Sequence, residues 1–277
     1  MSLASFYLPL KKTIVSTTKN KEMNENEWPW VLSKIGKKIL RPGGRELTML
    51  LLKSLNIQKD DSVVEFAPGI GFTAEQILKL KPKSYTGLEL NEEAGQDLKE
   101  IVQGANNKII IGNAMNAGEG LKSGSIDKVI GEAMLTMHSD NRKINIISEA
   151  NRMLRKGGRY AIHELCLSNE NISEEEKKAI QKDLSSHSHV NTRPLTLTEW
   201  KKIIEDQGFK VVDVWTRPML LLEPSRVLKD EGFLNMARTI FNVLRRPQAR
   251  KKILEMRKLF QKHRDDIKAI GIVAEKL

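Results

Sequence analysis

With one cysteine in 277 residues, Cys166, the chain has too few for a disulfide framework or a cysteine-rich metal site. Two histidines, His187 and His189, sit one residue apart, but no third ligand lies near them, and no metal is expected. Aromatic residues are scarce at 5%. A single-strand nucleic-acid binder interleaves stacking rings with its positive charges, and this chain has few rings to interleave. No apolar run approaches the roughly 20 residues a membrane span requires. The stretch "SFYLPL" near the start is too short for the core of a signal peptide. These absences point to a metal-free protein of a reducing cytoplasm, and they leave the oligomeric state open.

Basic residues are plentiful. Lys and Arg number 46 against 35 Asp and Glu, a formal net charge of +11. The cations are spread along the chain, so they read first as a solvated surface and second as an attraction for nucleic acid. At 40% hydrophobic, 277 residues are enough for one core with a lid.

Four segments are expected. Residues 1–44 form a lysine-rich arm and a lid helix, "WPWVLSKIGKKIL", closed by "RPGG", in which Gly43 and Gly44 offer a hinge. Residues 45–215 form the core, with a helical insertion over about 168–195. Residues 216–268 are a helical cap, and 269–277 the final core strand. Within the core, "DSVVEFA", "SYTGLEL", "KIIIGNA", "IDKVIGEAM", "RYAIHEL" and "FKVVDVW" read as strands separated by amphipathic helices. The helix "DNRKINIISEANRMLRKGG" is expected to stop at Gly157. Such alternation argues for βα units around a parallel sheet.

The chemistry starts at "EFAPGIGFTAEQIL", where Gly69-x-Gly71-x-x-Ala74 joins the first strand to a helix. Glycines there let backbone N–H groups approach a ligand with no Cβ in the way. Glu89 ends the second strand, where a carboxylate accepts hydrogen bonds from ribose hydroxyls. Glu65 stands four residues before Gly69, where it would repel a dinucleotide's pyrophosphate. It suits a nucleoside that carries positive charge.

"VVEFAPGIGFTA" resembles the first motif of class I S-adenosylmethionine (SAM)-dependent methyltransferases. "GLEL" is similar to their second motif, "IIIGNAM" to the third and "SIDKVIGEAML" to the fourth. The resemblance implies a three-layer, Rossmann-like α/β fold with seven strands, mostly parallel, the last antiparallel, plus helical lid and cap insertions. It implies SAM as cofactor and S-adenosylhomocysteine as product. On this likeness the cofactor cradle comprises Glu65, Ala67, Pro68, Gly69, Gly71, Glu89, Leu90, Asn113, Ala114 and Glu132, with Asn113 at the adenine and Glu132 at the amino group. Ala67 stands where the family usually has glycine, which is tolerable if its φ stays negative. "LRPGGRELT" and "NTRPLTLTEWKKIIEDQGF" resemble small-molecule methyltransferases of the quinone- and arsenite-methylating group. A single cysteine argues against arsenic chemistry.

Methyl transfer from a sulfonium is an in-line displacement that needs positioning above all, and a base only where the acceptor must lose a proton. His138, His163 and Glu164 are the catalytic candidates at the crevice. Neighbours on a strand, His163 and Glu164 point to opposite faces, so at most one meets the substrate. Cys166 reads as a small buried hydrophobe. In the cap, Ile253, Met256, Leu259 and Phe260 fall at helical spacing, and Met219 and Leu220–Leu222 lead into them. An acceptor with a hydrophobic body is expected beneath, and Arg250, Lys251 and Arg257 form a basic rim. The leading reading is a SAM-dependent methyltransferase of a small molecule. The alternatives are an RNA or other nucleic-acid methyltransferase and a SAM-binding protein that transfers no methyl group.

Overall fold

The computed structural model describes residues 28–188 and 190–277, and the expected N-terminal arm lies outside them. Seven strands form one sheet in the order β3-β2-β1-β4-β5-β7-β6. They are β1 (Ser62–Phe66), β2 (Ser84–Glu89), β3 (Asn107–Ile111), β4 (Ile126–Glu132), β5 (Leu154–Leu167), β6 (Phe209–Pro218) and β7 (Ile267–Lys276). Strands β1–β5 pair in parallel, and β7 slots between β5 and β6 antiparallel to both. That is the expected sheet. The final strand begins at Ile267, paired to Leu167, two residues before the expected boundary.

Central strands buried on both faces read as near-continuous apolar runs, and successive residues feed opposite layers. Val63, Ile130, Ala161 and Val273 pack under helices α2 (Gly44–Leu55) and α3 (Phe72–Lys79). Val64, Val129, Ile162 and Ile272 pack on the other face under α5 (Asp140–Met153) and α7 (Leu197–Glu205). Helix α4 (Glu92–Ile101) flanks β2 and β3, and Asn91 caps it by accepting from the Ala94 N–H at 2.8 Å.

Helix α5 does not run to Gly157. It ends at Met153, because Leu154 is fully buried and already extended (φ −66°, ψ 141°), paired with Ile126. The pairing then skips to Arg159 opposite Lys128, so the glycines lie in an irregular strand entry.

A third apolar cluster sits off the sheet. Helix α1 (Trp28–Lys34), α6 (Glu174–Ser188) and α9 (Pro247–Lys262) meet there with the end of β5. Helix α8 (Pro224–Arg245) precedes α9 and is broken at Gly232 (φ 79°, ψ 169°). Among the described residues, no helix is long and apolar enough to cross a membrane.

Candidate active site

The turn after β1 is built from left-handed residues: Ala67 (φ 49°), Gly69 (φ 60°) and Gly71 (φ 85°). Ala67 therefore departs from the negative φ expected of it. A Cβ on Gly71 would stand 2.7 Å from Ile101 Cδ1, whereas one on Gly69 would meet nothing nearer than 3.9 Å. At Gly71 the positive φ favours glycine and the Ile101 side chain would have to move for a Cβ, whereas Gly69 faces open space. Glu89 closes the turn: its Oε2 accepts from the Gly69 N–H at 3.0 Å and its Oε1 from the Asn91 N–H at 2.9 Å. Burial raises its pKa against those two bonds. Leu90 is 59% exposed beside it, and Asn113 uses its side-chain oxygen to cap a 3₁₀ turn at Met115. Ala114, the next residue, is buried in the core. Replacing Ala67 by glycine removes a left-handed penalty of about 1–2 kcal/mol and adds about 0.4–1 kcal/mol of unfolded-state entropy. The variant is expected to be more stable by roughly 0.5–1 kcal/mol in urea denaturation.

At the end of β4, Glu132 accepts four hydrogen bonds. Oε1 takes Thr48 Oγ1 at 2.6 Å and His163 Nδ1 at 2.9 Å. Oε2 takes Arg41 Nε at 2.8 Å and Thr73 Oγ1. Burial pushes this carboxyl up, but Arg41 and the His163 hydrogen bond prevail and hold it far below the usual range. Its lone pairs are committed within the protein, so Glu132 does not stand free for a ligand's amino group as expected. Arg41 also lies over the Phe72 ring, 5.5 Å from its centroid, at the start of α3.

His163 is fully buried and both ring nitrogens are used: Nδ1–H donates to Glu132, and Nε2 accepts from the Gly43 N–H at 2.9 Å. Burial lowers its pKa, which fits this neutral tautomer. Glu164 on the opposite face is equally buried and accepts the N–H groups of Met134, Leu135 and Thr136 and the Thr136 hydroxyl at 2.7–3.0 Å. Burial raises its pKa, and these donors oppose the rise. Neither side chain has a free proton-accepting atom. His138 is half-buried, its ring makes no hydrogen bond among the described residues, and burial lowers its pKa. Cys166 is buried and its thiol is pushed up to about 12, which leaves it inert.

Glu65 lies near the carboxyl end of β1 and lines neither cavity described below. It is 2% exposed, accepts from Tyr85 OH at 2.7 Å, and burial raises its pKa to about 8. Gly43 and Gly44, expected as a hinge, are clamped instead. Arg226 Nη2 donates to the Gly43 carbonyl, and a Cβ on Gly44 would overlap Asp230 Oδ2 at 2.2 Å.

Beyond the carboxyl ends of β4 and β5 lies an apolar cavity of about 80 Å³. Leu40 and Pro42 of the segment before α2, Thr136 and Leu165 of the core, and Met256 and Phe260 of α9 line it, and it is partly open to solvent. Met219 and Leu221 line it too, whereas Leu220 is exposed. Of the expected basic rim, Arg257 is tied to Glu223 at 2.8 Å. A second cavity, of about 210 Å³, lies between the glycine turn and α4, bordered by Gly69, Glu93 and Asp97. Among the described residues no cluster of three metal-ligating groups exists, and His187 bonds instead to the Asp183 carbonyl at 3.0 Å; His189 lies outside the described residues.

Sequence reasoning missed Arg41, Thr48 and Thr73. Thr73 stands inside the glycine motif itself, but nothing in the sequence indicated that it faces a carboxylate 59 residues away.

The fold is that of class I methyltransferases. Phosphoethanolamine N-methyltransferase 2 of Haemonchus contortus, solved with S-adenosyl-L-methionine, superposes with a TM-score of 0.66 at 18% identity over 90% of this chain and 56% of that one. The [4+2]-cyclase SpnF superposes at 0.70, with 12% identity over 91% and 94% of the two chains. Residues 46–148 match the family of ribosomal RNA adenine dimethylases. The chain belongs to the same family as an uncharacterized protein of Haemophilus influenzae, 32% identical over 187 residues, which are 66% of this chain and 71% of that protein.

Proposed function

We propose that this protein is a SAM-dependent methyltransferase whose acceptor is a small molecule with a hydrophobic body. The observation that carries the reading is the partly open apolar cavity at the carboxyl ends of β4 and β5, beside a glycine turn closed by Glu89. Ligands of open α/β sheets bind at that end of the strands. SAM would supply an electrophilic methyl group there. Glu89 would exchange the Gly69 and Asn91 N–H groups for ribose hydroxyls, with Leu90 and Asn113 at the base. Glu65 would face the positive end. The lid segment and α9 exclude water and aim the acceptor, which is the larger part of what such a transfer requires. At about 80 Å³ the cavity is smaller than the ~300 Å³ of a typical small-ligand site, so the lid must yield to admit an acceptor. Of the three catalytic candidates, His138 keeps an uncommitted ring, and it is the base we assign where the acceptor must lose a proton.

The ribosomal RNA adenine dimethylase match favours a second reading, methylation of RNA. It spans α2 to α5, the half that carries the glycine turn, and stops short of the cap. It therefore speaks for the cofactor more than for the acceptor. Calorimetry is expected to show binding of SAM and S-adenosylhomocysteine and none of NAD. Glu89→Ala is expected to weaken SAM by about 1–3 kcal/mol, the scale of hydrogen bonds to a charged group. Label transferred from SAM to RNA, and to no organic-soluble acceptor, would replace the first reading with the second.

A further inference from the structure

Helix α8 is amphipathic in the reverse sense. Apart from Val243, which packs on the off-sheet cluster, its inward contacts are polar: Glu231 accepts from Lys37 Nζ and the Lys38 and Ile39 N–H groups at 3.1–3.2 Å. Asn235 and Asn242 donate to the Gly36 and Ile35 carbonyls at 3.2 and 3.0 Å. Arg226 and Asp230 are buried against Gly43 and Arg45. The outward face is apolar: Phe233 is 68% exposed, Leu234 84%, Ile240 48%, Phe241 55% and Leu244 60%. Spaced at three, four and seven residues, these five side chains form one continuous stripe. A helix on a water-facing surface turns its apolar stripe to the core. A stripe turned outward over three helical turns marks a contact surface.

We infer that α8 docks on the surface of an anionic phospholipid bilayer. Charge decides the occupant. Arg238 and Arg245 flank the stripe, with Arg245 stacked over Phe241 at 5.0 Å, and the exposed Arg250 and Lys251 follow at the start of α9. Lipid-facing helices carry this arrangement, an apolar face bordered by cations at headgroup level. A second copy meeting the same face would set these arginines against their own kind. RNA would meet mostly aliphatic side chains, which offer no stacking. The polar face of α8 holds the backbone of residues 35–43, which includes the Leu40 that lines the apolar cavity. A helix seated on lipid thus places the lid and the acceptor cavity beside the phase in which an apolar acceptor dissolves. This goes beyond the methyl-transfer reading and does not depend on turnover.

The test is flotation of the full chain with vesicles of phosphatidylcholine alone or mixed with phosphatidylglycerol. The wild type is expected to float with the mixed vesicles, less with neutral ones, and less as salt rises. Leu234→Asp with Phe241→Asp is expected to weaken flotation by at least about tenfold, and Arg238→Gln with Arg245→Gln to remove the preference for anionic lipid. All four positions are solvent-exposed, so unfolding midpoints and SAM affinity should not change. A wild type that ignores both vesicle types, or an aspartate variant that floats as well as the wild type, overturns the proposal. So does a wild-type dimer that the aspartate pair dissociates, or RNA binding lost in the arginine pair without any flotation. Loss of SAM binding by the wild type would defeat the methyltransferase reading and leave the flotation result standing.

Discussion

SAM is expected to bind more tightly as pH rises from 5.5 to 7.5, with Glu65 releasing a proton in the process. In the unliganded protein, burial raises the Glu65 pKa to about 8, so over this range the group is mostly neutral. SAM would bring a sulfonium and an ammonium against one carboxylate, a net positive charge, to the end of β1 that carries Glu65. Opposite charge lowers a carboxyl pKa, so the bound state favours the ionised form and the affinity gains at most tenfold per pH unit. A rise of about tenfold over the two units is expected. Above about pH 7.7 the ligand's own amino group begins to lose its proton, which closes the window. Calorimetry in buffers of different ionisation enthalpy reads the proton directly. Proton uptake, or no dependence on buffer, would contradict the role of Glu65. The same group acts on stability with a definite sign. Its folded pKa lies above the ordinary 4.5, so the stability it contributes is complete below 4.5 and is lost as pH climbs to about 8. Glu65→Gln keeps an acceptor for Tyr85 and removes the titration. Without ligand the variant should exceed the wild type at pH 8.5 by roughly 3–5 kcal/mol, match it near pH 4.5, and bind SAM with little pH dependence.

The sheet and its glycine turn were legible because central strands such as "SVVEF" and "KVIGE" are buried on both faces, and the turn carries its own glycines. Local signals ended where distant groups take over. Leu154 reads as the continuation of a helix, but the core draws it into β5, and no local residue announces that. Ala67 reads as a residue that avoids positive φ, but the turn sets it at 49° while its N–H still bonds to the Leu88 carbonyl at 2.9 Å. The ligands of Glu132 come from Arg41, Thr48, Thr73 and His163, which lie 31 to 91 residues away. A crevice-end carboxylate in the sequence therefore looked free when its partners had already saturated it. Helix α8 shows the same limit. "FLNMARTIFNVLRR" announces a helix with two faces, but which one turns inward is decided by the carbonyls of residues 35–36, not by the stripe itself. By contrast, Met256 and Leu259 turn inward as their spacing predicts.

Glu132→Ala is expected to cause the largest loss of stability of any single change at the site. The substitution leaves the Arg41 guanidinium, which is 8% exposed, without its carboxylate, and strands His163, Thr48 and Thr73 in a dry interior. Breaking one partner of a buried pair costs about 3–5 kcal/mol, because the other charge stays buried and uncompensated. The loss should appear as a lower urea midpoint and as faster proteolysis near Lys37 and Lys38, since Arg41 ties the segment before α2 to β4. The acid limb carries the same signature. A carboxyl held below its ordinary 4.5 contributes stability that is present above 4.5 and lost as pH falls through its folded value, so wild type and variant should converge in acid. Arg41→Met separates the charge from the rest. Removing both charged partners leaves no buried ion unpaired, so the double variant should recover about 1–3 kcal/mol relative to the sum of the two single losses. Strict additivity in that cycle would show that Arg41 and Glu132 do not act as a unit and would dissolve the latch between the segment before α2 and the fourth strand.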